Sequence, residues 1–139
     1  MTIHGPSMAP GLSPNYNAYG EMDRVWAKMW EPTEGLQRGM LIAFWSPQDP
    51  EKEVVKRIVA VEGDTVRTRP PYPFPTAEVP VGCVWVEGDD RSRSIDSNDY
   101  GPIAISLIVA QITHVVWPWS RMGRVRWEDW PRNKNLVQK

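Results

Sequence analysis

The run VVKRIVAVEGD, Val54 to Asp64, decides the fold class. Eight residues dominated by Val and Ile, closed by the turn signal Gly63-Asp64, predict a β-strand. Side chains on a strand alternate between faces, so Lys56 is expected beside Val54, Ile58 and Ala60. Arg57 then falls on the opposite face with Val55, Val59 and Val61. A lysine with aliphatic neighbours on its own face is a poor choice for a purely structural strand. Burial disfavours the ammonium and lowers its pKa toward neutrality, which makes the amine a usable general base.

Outward from that strand the chain continues in short extended pieces. Met40 to Trp45 is an apolar run stopped by Ser46-Pro47, and a charged turn, Gln48 to Glu53, joins it to the Lys56 strand as an antiparallel pair. Asp23 to Trp30 fits both a strand and one helical face, and the strand-like surroundings favour the strand. Thr65 to Arg67 and Val84 to Val86 are further short strands. Arg69 to Pro80 holds five prolines and is expected to be an exposed connector without a regular ladder. Ile103 to Trp117 starts with a turn of helix and becomes a strand. Its apolar face is Ile108, Ala110, Ile112 and Val116, with His114 expected inside as a satisfied core histidine. The sum is a mostly β domain of short antiparallel strands with little helix.

The chain has 139 residues, 41% hydrophobic and 24% charged, with a net charge of −1. Those values describe one globular domain with a real core. They give no case for nucleic acid, since no basic stripe is interleaved with aromatics. Cys83 is the only cysteine, which excludes an internal disulfide, and its neighbours Val81 and Val84 suggest a small buried hydrophobe. Two histidines and no Cys/His cluster argue against a metal site. No apolar run is long enough to span a membrane. Residues 120–139 carry six Lys or Arg against two acids, whereas the remainder carries ten against fifteen. Residues 1–119 form one expected domain, and residues 120–139 a basic tail with Trp127 and Trp130, read as partly unstructured.

Ser7 lies in a proline- and glycine-rich loop, Met1 to Gly20. A serine hydroxyl needs a neighbouring base to become a nucleophile, and an amine serves that role in Ser/Lys variants of the catalytic triad. Four blocks in fixed order carry the pair: GPSMAP (Gly5 to Pro10), RGMLIAFWSP (Arg38 to Pro47), VKRIVAVEGD (Val55 to Asp64) and GDDRSRSIDSNDYGPI (Gly88 to Ile103). In these blocks the chain resembles the type I signal peptidases, membrane-bound Ser/Lys endopeptidases. Within that family it is most similar to the mitochondrial inner membrane peptidases and their second catalytic subunit. The short spacer between the third and fourth blocks, the SIDSN of Ser94 to Asn98 and the THVVWP of Thr113 to Pro118 carry that closer likeness.

The resemblance implies Ser7 as nucleophile and Lys56 as its base. Met8 would shield the lysine, Ser94 would orient its amine, Asp96 would hold the surrounding turn, and Ile95 would add apolar packing. Arg57, next to the base, joins the supporting residues. The oxyanion would meet the backbone N–H of Ser7 and one further donor. Bacterial members often place a serine at the position of Gly5, which has no side chain to donate. The family's frequent Arg-Gly-Asp is Arg38-Gly39-Met40 here, and an arginine common two residues after the aspartate is Asn98. No cofactor and no metal are implied. The implied partners are presequence-bearing precursors, a sister catalytic subunit and a membrane reached through an anchor that the family carries just before the nucleophile block. The implied location is the mitochondrial inner membrane, facing the intermembrane space. Two other readings share the fold: a non-catalytic peptide-binding subunit, and a self-cleaving protease of the SOS-repressor type.

Overall fold

Strand β3, Glu53–Val61, forms where the Val/Ile run demands it and lies near the middle of the main sheet. Its partner on one side is β2, Leu41–Trp45, antiparallel with Ile42 opposite Lys56 and Leu41 opposite Arg57. Its other partner is β6, Cys83–Glu87. The computed structural model describes residues 24–29, 35–90, 95–117, 122–131 and 135–137. The remaining strands are β1 (Arg24–Met29), β4 (Thr65–Arg67), β5 (Thr76–Glu78), β7 (Ile103–Ala104), β8 (Ile108–Trp117) and β9 (Gly123–Arg124). The main sheet runs in the order β1-β8-β2-β3-β6-β7 with β9 against β8, and β4 and β5 form a separate pair. Among the described residues one short α-helix, α1, spans Ser97–Tyr100, and single 3-10 turns span Ile105–Leu107 and Trp127–Asp129.

The expected antiparallel pairs and the strand at residues 24–29 are present. β-Bulges change the alternation: the register slips once between β3 and β6, once between β2 and β8 and twice between β1 and β8. In β3 the register with β6 slips between Ile58 and Ala60. Val54, Ile58 and Val61 pack with Ile42, Phe44, Val84 and Val86, whereas Val59 and Ala60 both face the cluster around Val66, Val79 and Trp85. Ala60 therefore leaves the face of Lys56, and Val61 joins it. An inserted residue inverts every later side chain of a strand, and regular alternation cannot anticipate it.

The same event occurs in β8. Trp26 pairs with His114 and Ala27 with Ile112, so Thr113 is the extra residue. Past it Val115 turns inward, while His114 and Val116 are exposed. His114 is thus a surface residue, not a core histidine.

Three other expectations need revision. The proline-rich segment does contribute to a ladder: β5 pairs with β4, and Ala77 and Val79 are buried. Its prolines cluster before Thr76, which leaves the N–H groups of the strand free to pair. Cys83 is only half-buried, and its neighbour Val81 is exposed. In the C-terminal stretch, Trp127 packs on the Ile42/Phe44 cluster and Trp130 and Leu136 on the Trp85 cluster. Val66 bridges to Leu136, and the N–H of Val137 donates to Thr65 O at 2.9 Å. The basic composition hid these contacts, which rest on a few apolar side chains spaced among the charges.

Two polar ties set the turn before β2. Arg38 makes a bidentate pair with Asp64, Nε to Oδ2 at 2.8 Å and Nη2 to Oδ1 at 2.6 Å. Asp64 Oδ2 also accepts from the N–H of Val61 at 2.9 Å, so one carboxylate closes the β3–β4 turn and anchors the β2 turn to it. Gly39 has φ +98°, and a Cβ there would lie 2.6 Å from the Trp127 carbonyl oxygen. Gly63 has φ +86° with nothing within 4 Å of that position. Both sites charge an L side chain for left-handed backbone, but only Gly39 adds a collision with main chain. Gly39→Ala is expected to cost about 1–3 kcal/mol and clearly more than Gly63→Ala. Thermal melting of the two variants side by side checks this, and equal melting temperatures would contradict it.

Candidate active site

Lys56 occupies the centre of β3 and is 6% exposed. Its side of the strand is that of Val54 and Ile58, both packed on the Met40, Ile42 and Phe44 cluster. Burial in these surroundings lowers the amine pKa, with a smaller push in the same direction from Lys52. The Asp96 charge, and less so that of Asp99, acts against it. Desolvation prevails, so the neutral amine is reached at lower pH than for an exposed lysine. This is the property the sequence motivated, and it comes from position on the sheet and not from a neighbouring cation alone.

Arg57 points to the other side and is also buried. A buried guanidinium requires partners for its donors, and it has them. Nε and Nη2 grip the Asp89 carboxylate at 2.8 Å each, and Nη1 donates to Gly39 O at 2.8 Å. The Trp130 ring lies beneath it, 5.7 Å from Cζ. One side chain therefore joins the turn before β2, the segment after β6 and the C-terminal stretch. The strand carrying the amine is held from three directions.

Asp96 is 1% exposed and acts as N-cap of α1. Its Oδ1 accepts from Asn98 N at 3.0 Å and Asn98 Nδ2 at 3.1 Å, and its Oδ2 from Gly88 N at 3.1 Å. Asp99 Oδ2 accepts in return from Asp96 N at 2.9 Å, which completes a capping box built from two aspartates. Ser97 Oγ accepts from Val86 N at 2.9 Å and ties the helix to β6. The acidic segment is thus fixed against the strand next to β3.

Asp96 lies near enough for its charge to act on Lys56, whereas Arg57 points to the other side of β3. Ile95 is 62% exposed, a position better suited to meeting a bound chain than to enclosing the amine. Ser7, Met8, Gly5 and Ser94 lie outside the described residues. Sequence reasoning passed over Asp89, Glu87, Arg69 and Asn98 as partners in this region. Glu87 is buried and accepts from Trp85 Nε1 at 2.9 Å and Arg69 Nη2 at 3.2 Å. Asn98 Oδ1 accepts from Arg69 N at 2.7 Å. An acid at the end of an apolar strand, as in VWVE, was the available signal for Glu87. Among the described residues no group of His, Cys, Asp and Glu could hold a metal ion. No helix there is long and apolar enough to cross a membrane.

Known proteins are similar to this chain. The family model described as signal peptidase, peptidase S26, matches residues 1–71. The mitochondrial inner membrane protease subunit 2 of Schizosaccharomyces pombe is 41% identical over 132 residues, covering 95% of this chain and 72% of that protein. Subunit 2 of Mus musculus is 38% identical over 127 residues, covering 88% of this chain and 71% of that protein. A crystal structure of signal peptidase I from Enterococcus faecalis superposes with a TM-score of 0.50 at 25% identity, covering 58% of this chain and 98% of that one. A buried lysine on the central strand, four ordered sequence blocks and relatives matched along most of their length lead to one conclusion: this chain belongs to the signal peptidase family of endopeptidases, in its mitochondrial inner membrane protease group.

Proposed function

We propose that Ser7 and Lys56 form the catalytic dyad of a presequence-processing endopeptidase. The observation that carries this reading is the buried amine of Lys56 with its lowered pKa. In this reading the neutral Lys56 amine takes the Ser7 Oγ proton as Oγ attacks the scissile carbonyl carbon. The oxyanion is met by the Ser7 N–H and one further donor. Collapse of the tetrahedral adduct breaks the C–N bond, and the ammonium returns its proton to the departing amine. Lys56 then takes a proton from a water, which attacks the acyl carbon; the C–Oγ bond breaks and the ammonium returns that proton to Ser7 Oγ. Met8 and Ser94 shield and orient the amine, Asp96 fixes the segment beside it, Arg57 holds β3 in place, and Ile95 faces the bound chain.

The substrates in this reading are precursors whose presequences end in an extended segment that pairs with a strand edge. The site faces the intermembrane space from the mitochondrial inner membrane, with a sister catalytic subunit as partner and a membrane anchor adjoining the nucleophile block. The names of the relatives, subunits of a mitochondrial inner membrane protease, support this placement.

Presequence-peptide turnover tests the dyad. Ser7→Ala and Lys56→Arg are each expected to lose about 10³-fold or more in kcat, the arginine because its guanidinium stays charged and cannot accept the proton. Wild-type-like turnover by Ser7→Ala would favour a non-catalytic binding subunit. Self-cleavage without peptide turnover would favour the repressor type.

Rate against pH gives a second check. Activity is expected to rise with pH as Lys56 loses its proton, along a limb lying below the ordinary lysine range because burial lowers that pKa. A flat profile would contradict the assignment.

Stability should carry the same mark. The folded state binds fewer protons than the unfolded chain between the lowered pKa and the ordinary one, so stability rises with pH across that window and the full cost of burying the charge is felt below it. Lys56→Met is expected to abolish turnover while melting no lower than the parent at pH 7, and to lose this pH-dependent gain. A Met variant that melts well below the parent at pH 7 would contradict a costly buried charge.

A further inference from the structure

The acidic segment that holds Asp96 receives a cation from a distant stretch of the chain. Arg69 follows β4 and lies 27 residues before Asp96 in the chain. Its Nη2 stands 3.2 Å from Glu87 Oε1 and 3.8 Å from Asp96 Oδ2. Its own N–H donates to Asn98 Oδ1 at 2.7 Å. Glu87 and Asp96 are almost wholly buried, and the one Arg69 guanidinium lies within ion-pair distance of both carboxylates. Arg69 Nε is buried and has no hydrogen-bond partner among the described residues.

We propose that Arg69 is a positioning residue for the proteolytic site: bound through its backbone by Asn98 and through its guanidinium by Glu87, it neutralises and fixes Asp96 beside the Lys56 strand. The inference rests on the Ser7/Lys56 reading. Asp96 is the acid whose charge acts most on the Lys56 amine. With Arg69 in place that charge is partly cancelled, and the amine sheds its proton more readily. Removing Arg69 restores the part of the Asp96 field that its guanidinium cancels, which favours the ammonium.

The test is the pH dependence of kcat for presequence-peptide cleavage by the full-length enzyme, measured for the parent, Arg69→Met, Arg69→Lys and Glu87→Gln, with Ser7→Ala as reference. Arg69→Met is expected to move the acid limb upward by about half a pH unit or more. Arg69→Lys, which keeps the charge, should return most of that shift. Glu87→Gln leaves the guanidinium to Asp96 alone and should move the limb downward, so the inference stays decidable if Arg69→Met does not fold. A limb unmoved in either folded variant, even with a lower rate at every pH, overturns the proposal and leaves Arg69 a structural residue. Failure of the underlying dyad reading looks different: Ser7→Ala would then cleave as fast as the parent.

Discussion

An amine carried into the interior of a sheet governs the rest of this structure. Lys56 sits on a strand with neighbours on both sides, and its removal from water sets both its chemistry and its cost. A buried ammonium is tolerated only where loss of the proton, or a placed counter-charge, lowers that cost. Here both act, in opposition. Packing around Val54, Ile58 and the β2 apolar face favours the neutral amine, and the capped Asp96 favours the charged one. The balance between them defines how strong a base this site holds.

Holding that balance requires that the strand and the acid do not drift relative to each other. The buried polar groups around them form one connected arrangement. Arg57 fastens β3 to Asp89 and Gly39, Ser97 fastens α1 to β6, and the Asp96–Asp99 capping box fixes the first turn of α1. Nearly every member has a partner, the condition under which a buried polar network rigidifies a fold instead of weakening it. Trp130 beneath Arg57 and Trp127 against Gly39 bring the basic C-terminal stretch into the same arrangement. That stretch therefore supports the strand that carries Lys56 as well as following it.

Much of this was legible from residue types alone. The strands of β2, β3, β6 and β8 announce themselves through Val and Ile runs between turn residues, and a lysine amid such a run already signals a buried amine. What stayed hidden shares a physical reason. The bulges near Val59 and at Thr113 insert a single residue, which changes no composition and yet sends Ala60, His114 and Val115 to unexpected faces. Helix α1 is short and polar, stabilised by its cap and by Ser97 and not by an apolar face that periodicity detects. Arg69 reaches Glu87 and Asp96 only after β4 and β6 have been folded together, a proximity that no local pattern encodes. Four of the site residues, Gly5, Ser7, Met8 and Ser94, still rest on the order of the sequence blocks.

The account stands on the proton affinity of one nitrogen. Direct titration of the Lys56 side chain by NMR, in protein carrying isotope-labelled lysine and with the resonance assigned from its loss in the Lys56→Met spectrum, measures that affinity without reference to turnover. A midpoint well below the ordinary lysine value of about 10.4 is the predicted result. A midpoint at or above that value would mean that the amine stays charged wherever the enzyme works, and it would contradict Lys56 as the base.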